Sequence, residues 1–297
     1  MSRSSLYEEE FFPSPLRQTW MEFKRSHWAF AGLWILIFFV FVIIVGPFLA
    51  PYQPLEQSPD NLLLPPAWSD SGDIRYIFGT DSAGRDILSR VIYGSRLTFG
   101  ISFLVVILSV SVGVIIGAYA GISKGLRSSI VNHLLDSVMA IPTLLIAIII
   151  VGILGTGLIN SIWAIALAML PQVIHTCRDF VRQESEKAYV TAAKLDGAGS
   201  IHIFVKSIFP NMVEIIVVQS TFALSTAILD ISALGFLSLA AQAPSPELGA
   251  MLSDGLDIVY ISPWSIALPG LTILLAIISV NLVGDGLRTA LRRRLQH

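Results

Sequence analysis

Six stretches of this chain are apolar for long enough to cross a lipid bilayer: about 28–50, 97–122, 131–153, 158–176, 213–238 and 264–286. A helix crosses ~30 Å of hydrocarbon in about 20 residues. In that solvent every backbone N–H and C=O must find its partner inside the protein. The runs are continuous rather than alternating, so they read as helices and not as strands of a barrel. Composition agrees: 54% of residues are hydrophobic and 13% charged, about half the charged share of a soluble domain. The expected fold class is an all-α integral membrane protein with six transmembrane helices.

The first run, Trp28 to Ala50, exceeds the ~7–15 residues of a signal-peptide core. Glu8, Glu9 and Glu10 precede it and Pro51 follows at its exit. It reads as an uncleaved membrane helix. Orientation follows from the basic residues. With the N-terminus inside, of the 19 Lys and Arg only Arg75, Arg85, Arg90 and Arg96 fall in outer segments. The inner segments hold Arg3, Arg17, Lys24, Arg25, Lys124, Arg127, Arg178, Arg182, Lys187, Lys194, Lys206, Arg288, Arg292, Arg293 and Arg294. The positive-inside rule then puts both termini in the cytoplasm. The run Arg292-Arg293-Arg294 reads as an anchor on anionic membrane lipid.

Within the long outer segment 51–96, Ile87, Leu88, Val91 and Ile92 recur at helical spacing, which predicts a short amphipathic helix at the outer interface. A second outer segment covers 239–263. Gly113, Gly117 and Gly121 form a doubled GxxxG in the second span; small residues at this spacing let helix backbones approach closely. Pro142 and Pro269 are expected to kink the third and sixth spans. Asp136 is expected near the start of the third span, stabilising a helix N-terminus. Asp285 and Arg288 are expected to pair on the last helix. Asp230, in the outer part of the fifth span, must face protein or a wet cavity, because a carboxylate in lipid is costly. It is either a pathway residue that attracts cationic groups or a helix-packing hydrogen bond.

Between the fourth and fifth spans runs a charged segment, 177–212. Glu186, Ala188, Ala192 and Ala193 open a helix-forming stretch, and Asp196-Gly197-Ala198-Gly199 breaks it. A second short helix from about Ser200 leads to Pro210 and Asn211. Such a helix–Gly–helix knob can fit a groove on another protein, or it can be a solvated re-entry loop. The residues alone leave both readings open.

The same segment resembles the signature of bacterial ABC importer permeases, Glu-Ala-Ala, three residues, Gly, nine residues, then Ile-x-Leu-Pro. Ala192, Ala193, Gly197 and Pro210 stand on that spacing, with Thr191 for the Glu, Ser207 for the Ile and Phe209 for the Leu. "FGTDSAGRDILSRVIYGSR" (78–96) resembles the Gly-Thr-Asp-x-x-Gly-Arg-Asp motif of the dipeptide/oligopeptide/nickel branch, carried here by Gly79, Thr80, Asp81, Gly84, Arg85 and Asp86. "ILDISALGFLSLAAQAPSPELGAML" (228–252), with Leu248 where a Trp is usual, and "SPWSIALPGLTILLAIISVNLVGDGLRTAL" (262–291) resemble its later spans. Within the branch, "LLLPPAWSDSGDIRYIFGTD" and "LLDSVMAIPTLLIAIIIV" are similar to permeases of Sap-type systems (sensitivity to antimicrobial peptides).

The resemblance implies a type I ABC importer permease of MetI-like fold in a bacterial inner membrane. Its layout would be a cytoplasmic segment 1–27, a first helix 28–50, a periplasmic segment 51–96, a permease domain 97–290 with coupling loop 177–212, and a tail 291–297. It implies a homologous partner permease in a heterodimer, two ABC ATPase subunits that dock on the coupling loop, and a periplasmic solute-binding protein. ATP and Mg would sit on the ATPases, with no cofactor on this chain. Coupling-loop candidates are Glu186, Thr191, Ala192, Ala193, Asp196, Gly197 and Pro210. The implied cargo is peptides, cationic antimicrobial ones included; putrescine export and nickel or other small-solute transport are alternatives in the same family. The Asp81–Arg85–Asp86 cluster reads as a turn scaffold rather than a binding-protein contact.

Other classes fare worse. There is no Gly-x4-Gly-Lys-Ser/Thr phosphate loop. Cys177 is the single cysteine, and no Cys/His spacing suits a metal. A net charge of −2 gives no sign of nucleic-acid binding. A membrane enzyme needs a converging acid/base set, and Asp136 and Asp230 fall near opposite ends of their spans. A stand-alone secondary transporter usually shows an internal repeat, and none is visible.

Overall fold

The computed structural model describes residues 14–123 and 126–294. Arg3 and Lys124 of the basic residues, the acidic run at 8–10 and the tail 295–297 lie outside that set, as do the side chains of Arg127 and Arg294. Among the described residues all regular structure is helical, apart from one isolated bridge between Thr80 and Asp86. Among the described residues, five helices are long and apolar enough to cross a membrane, and a pair bent by 90° gives a sixth candidate span.

The chain opens with α1 (Pro15–Arg25) and α2 (His27–Leu49). A helix-free segment leads to α3 (Ile87–Ile122), followed by α4 (Leu126–Met139), α5 (Thr143–Leu154) and α6 (Leu158–Ser185). Two short helices, α7 (Ala188–Leu195) and α8 (Ser200–Ile203), precede a π-helical turn and α9 (Phe209–Phe236). Helices α10 (Leu248–Leu256) and α11 (Trp264–Arg294) complete the chain.

The closest packing joins α3 to α6. A Cβ at Gly113 would stand 2.6 Å from Val173 Cγ1, and one at Gly117 would stand 2.7 Å from Cys177 Cβ and from the Ile174 carbonyl oxygen. At Gly121 it would stand 2.7 Å from Val181 Cβ. Glycines on one helix thus meet Val173, Cys177 and Val181, which share the same four-residue step on the other. Ser109 Oγ donates to the Ala166 carbonyl at 3.1 Å on the same seam. Elsewhere, Gly284 on α11 faces Thr221 on α9, and Gly286 faces Ala29 and Phe23. Helix α1, the last turns of α11, the C-terminal ends of α3 and α6 and the start of α9 therefore share one end of the bundle, here the loop end. Segment 51–86 and α10 close the far end.

Several expectations change in the structure. Residues 87–96 are not a separate interfacial helix: they are the first turns of the unbroken α3. No proline interrupts the sequence there, and Arg90, Ser95 and Thr98 are buried. The third span is broken rather than gently kinked. Residues His133–Met139 and Thr143–Leu154 meet at 90°. Pro142 lacks an N–H and disfavours helix in the residue before it; it stands as the N-cap of α5. Pro269, by contrast, stays within α11. Asp136 lies toward the C-terminal end of α4, not at a helix N-terminus, and pairs with His175 Nε2 at 3.5 Å. Asp285 and Arg288 share α11 without forming an ion pair.

Between 22% and 44% of each span's apolar window is buried within the chain, so most of that surface faces lipid or another subunit. The seam makes a direct prediction. Gly117→Val forces α3 off α6, and overpacking of this kind costs about 1–3 kcal/mol. A Cβ placed on Gly100 would meet nothing within 4 Å, so Gly100→Ala keeps or raises stability. Melting temperatures of the two variants in detergent check this, and equal values would mean the seam is loose.

Candidate functional site

Three places gather the residues that the sequence singled out. At the far end, the stretch Gly79 to Asp86 forms a tight turn. Gly79 and Gly84 adopt φ of +77° and +70°. A side chain at either would collide with the carbonyl of Leu64 or Ser58. Thr80 Oγ1 donates to the Asn61 carbonyl at 2.6 Å and accepts from the Leu64 N–H at 2.9 Å. Asp86 caps α3, accepting from the Ser89 N–H at 2.8 Å and the Ser89 hydroxyl at 2.6 Å.

Asp81 is the centre of this turn. It accepts from the N–H of Ala83 at 2.9 Å and of Arg85 at 3.0 Å, from Arg85 Nε at 2.7 Å, and from Arg90 Nη1. Asp254 on α10 lies 3.6 Å from Arg85 and 3.4 Å from Arg90. Two carboxylates and two buried guanidiniums therefore tie the turn and α3 to α10. Glu247, fully buried, caps α10 through the Ala250 N–H at 2.8 Å and accepts from Thr98 Oγ1 at 2.9 Å. Burial pushes the Glu247 and Asp86 carboxyls above their ordinary range. Burial pushes Asp81 the same way, but the Arg85 N–H and the guanidiniums of Arg90 and Arg85 outweigh it and hold Asp81 below that range.

At the loop end, α6 runs on to Ser185 and α7 packs back beneath it. Val190, Ile203, Ile208 and Met212 are buried with Cys177 and Val181 of α6. Glu184 is the brace: Tyr189 donates to it at 2.5 Å, Asn211 at 3.0 Å and Lys187 at 2.7 Å. Burial and the bond to Glu184 push the Tyr189 hydroxyl up to about 12. Helix α7 ends in a Schellman cap. Ala198 N–H donates to the Ala193 carbonyl at 3.0 Å, and Gly197 N–H donates to the Lys194 carbonyl at 3.1 Å. Gly197 supplies the left-handed residue at φ +83°.

The other loop candidates sort by exposure. Glu186, Thr191, Ala192 and Asp196 are exposed on or beside α7, Ala193 is half-buried, and Pro210 is exposed in the first turn of α9. Pro210 does not interrupt the chain direction, and residues 200–236 run as one span. At the knob's tip Leu195 is 84% and Ile201 81% exposed, with none of the described residues covering either.

The third place is the elbow between α4 and α5. Asp230 on α9 is 3% exposed, its Oδ2 has no hydrogen-bond partner among the described residues, and the Thr143 side chain lies next to it. Thr143 is the first residue of α5, so the carboxylate sits by a helix N-terminus, where N–H groups lack partners. A cavity of ≈200 Å³ opens in the elbow, lined by Met139, Ile141, Thr143, Ala168, Pro171 and Gln172 among others. Among the described residues no group of three His, Cys, Asp or Glu could hold a metal.

The sequence reading missed Glu184, Tyr189, Asn211, Arg90, Asp254 and Glu247. Glu184 and Asn211 are 27 positions apart, and no periodicity links them. Asp81 and Arg85 sit close together in the motif, but α10 joins them only through the fold.

The described residues form a helical bundle of membrane-spanning length with one broken span, a layout compatible with a membrane transport subunit. Residues 113–297 match the family model of the binding-protein-dependent transport system inner membrane component. Residues 14–66 match the N-terminal transmembrane domain of oligopeptide transport permease C. The chain is 43% identical, over 98% of both lengths, to the peptide transport system permease protein SapC of Escherichia coli O6:H1. It is 43% identical to the di/tripeptide transport system permease protein DppC of Pseudomonas aeruginosa, covering 96% of this chain and 94% of that one. It is 40% identical to the dipeptide transport system permease protein DppC of Haemophilus influenzae, covering 95% of this chain and 96% of the other. The chain belongs to the binding-protein-dependent transport system inner membrane components, with the MetI-like ABC permease fold.

Asp81→Asn leaves two buried guanidiniums short of their central partner, a change that costs about 3–5 kcal/mol. Because the folded-state carboxyl titrates below its unfolded value, its contribution is present at neutral pH and is lost as pH falls through the depressed value. The melting-temperature gap between parent and Asp81→Asn therefore closes below the ordinary carboxylate range. A gap that stays constant with pH would remove the charge from the explanation.

Proposed function

We propose that this chain is one of two homologous permease halves of an ATP-driven peptide importer in a bacterial inner membrane, with both termini in the cytoplasm. The observation that carries the reading is the α7–α8 knob. Its base is fixed by Glu184 and a buried apolar cluster, while Leu195 and Ile201 at its tip are uncovered. A rigid base with an apolar tip suits docking of a helix into a groove. The groove belongs to an ABC ATPase subunit, one on each permease half. ATP and Mg on those separate subunits supply the energy for switching, and this chain turns knob movement into a change of access. A periplasmic solute-binding protein delivers the cargo.

The elbow and Asp230 line the translocation path. Non-helical backbone at membrane depth is tolerated where it borders a cavity, and discontinuous helices often mark substrate sites in transporters. Asp230 offers an unpartnered carboxylate oxygen to the ammonium and basic side chains of a peptide. The relatives named above carry peptide, dipeptide or di/tripeptide in their names, which favours peptide over the putrescine and nickel alternatives.

Leu195→Asp puts a charge at the apolar tip without touching the base, and is expected to abolish recovery of the ATPases with tagged permease. Gly197→Trp is expected to do the same. Gly197→Ala, which carries the left-handed strain of roughly 1–2 kcal/mol without the bulk, retains them. Full recovery of the ATPases with Leu195→Asp would sink the docking role.

Inverted vesicles holding the whole complex test the path and the direction. ATP added outside drains preloaded cationic peptide, and Asp230→Asn slows that loss severalfold while leaving neutral peptide and subunit assembly unaffected. Equal rates for parent and variant would remove Asp230 from the path. ATP-driven accumulation of labelled putrescine in its place would overturn the importer reading.

A further inference from the structure

Helix α1 takes no part in the devices above, and Ser26 alone separates it from α2. It is therefore held at the very start of an apolar span, where the hydrocarbon gives way to headgroups. One of its faces is used within the chain. Phe23 is buried with Ala29, Val283 and Ala290, and Glu22 pairs with Arg25 and, at 3.4 Å, with Arg293.

Toward its start the helix is uncovered, on the side it shares with Phe23, since Leu16 stands two turns before Phe23 and Trp20 one turn before. Leu16 is 84% and Trp20 45% exposed, and with Lys24 they follow one another at four-residue steps. Trp20 stacks on Phe23 with ring centroids 5.7 Å apart, and Lys24 Nζ lies 4.9 Å from the Trp20 ring. Arg17, Lys24 and Arg25 are exposed on α1, and Arg288, Arg292 and Arg293 are exposed on the last turns of α11 that α1 packs against. Among the described residues, the acidic side chains beside these six cations are Glu22, already engaged, and Asp285.

Place and charge together select the occupant. A basic amphipathic helix with Trp on its apolar edge lies in the plane of a bilayer interface. Arginine forks match phosphate oxygens two at a time. We propose that α1 and the end of α11 form a two-helix clamp on the headgroups of anionic phospholipid, with Leu16 and Trp20 seated at the acyl boundary. Its placement in the inner leaflet rests on the cytoplasmic termini proposed above; the clamp itself does not.

The test uses the complete complex in nanodiscs. The native Cys177 is buried, so Leu16→Cys accepts an environment-sensitive fluorophore selectively. In nanodiscs containing phosphatidylglycerol, the label is expected to shift to the blue and to resist aqueous iodide severalfold better than in phosphatidylcholine alone. Surface attachment gains about fivefold per basic side chain at low salt. The combined Arg17→Gln, Lys24→Gln and Arg25→Gln variant, or 1 M salt with its screening length on the order of 3 Å, therefore abolishes the difference. Equal quenching in the two lipids overturns the clamp. So does protection in detergent that appears only when the ATPases bind, because the face is then a protein contact. Removal of an N-terminal tag by protease outside intact spheroplasts, with lipid-dependent protection retained, would overturn the orientation and uphold the clamp.

Discussion

How closely α3 can approach α6 decides most of this structure. Lipid supplies no hydrophobic drive between helices, so van der Waals contact and a few polar bonds must hold them. Gly113, Gly117 and Gly121 remove the side chains that would keep the backbones apart. The shared seam fixes α6, and α6 carries Pro171 and Gln172 to the elbow cavity and Glu184 to the knob. Helix α3 also brings Arg90 and Thr98 to the far end, where they meet Asp254 and Glu247. One close contact at the centre thereby sets the position of polar work at both ends.

Those ends use the same device in different ways. Each has a buried carboxylate that gathers several donors from more than one element. Asp81 draws on its own turn and on α3, and its arginines reach α10. Glu184 draws on α7 and α9. Removing a charge from such a cluster costs more than the net worth of any one bond, because the remaining partners stay desolvated. In the far-end cluster Asp81, Arg85 and Arg90 are buried, with Asp254 at its open edge. The loop-end cluster fixes only a base and leaves an apolar tip in the open.

The spans, the glycine seam and the two signature motifs were legible in the sequence because each is local or periodic. Residues 113, 117 and 121 announce themselves by spacing, and Ala192, Ala193 and Gly197 by a pattern within one turn and a half. What the sequence concealed was long-range or geometric. Pro142 signalled a kink, but nothing local set its size, a 90° break beside a cavity that Ala168, Pro171 and Gln172 of α6 help to line. Residues 87–96 carried the apolar spacing of an interfacial helix, but Asp81 and Asp254 take up Arg90, Asp86 takes up Ser89, and Ser95 bonds back to Val91. Asp136 read as a helix-start residue because the break that moves it to the end of α4 was invisible.

The absence of a break at Pro210 has a mechanical side. From Ser200 to Phe236 the chain is one span of 37 residues, or ~55 Å at the rise of an α-helix. One end carries the exposed Ile201 and the other carries Asp230 beside the elbow. A rod of that length is a lever: tilting it by roughly 10° would swing its far end by about 10 Å at the helical rise. The π-helical turn at Phe204–Ile208 is the one irregular stretch along it, placed near the handle rather than the load. Were the helix to pivot near Ile201, the buried carboxylate would move further than the knob.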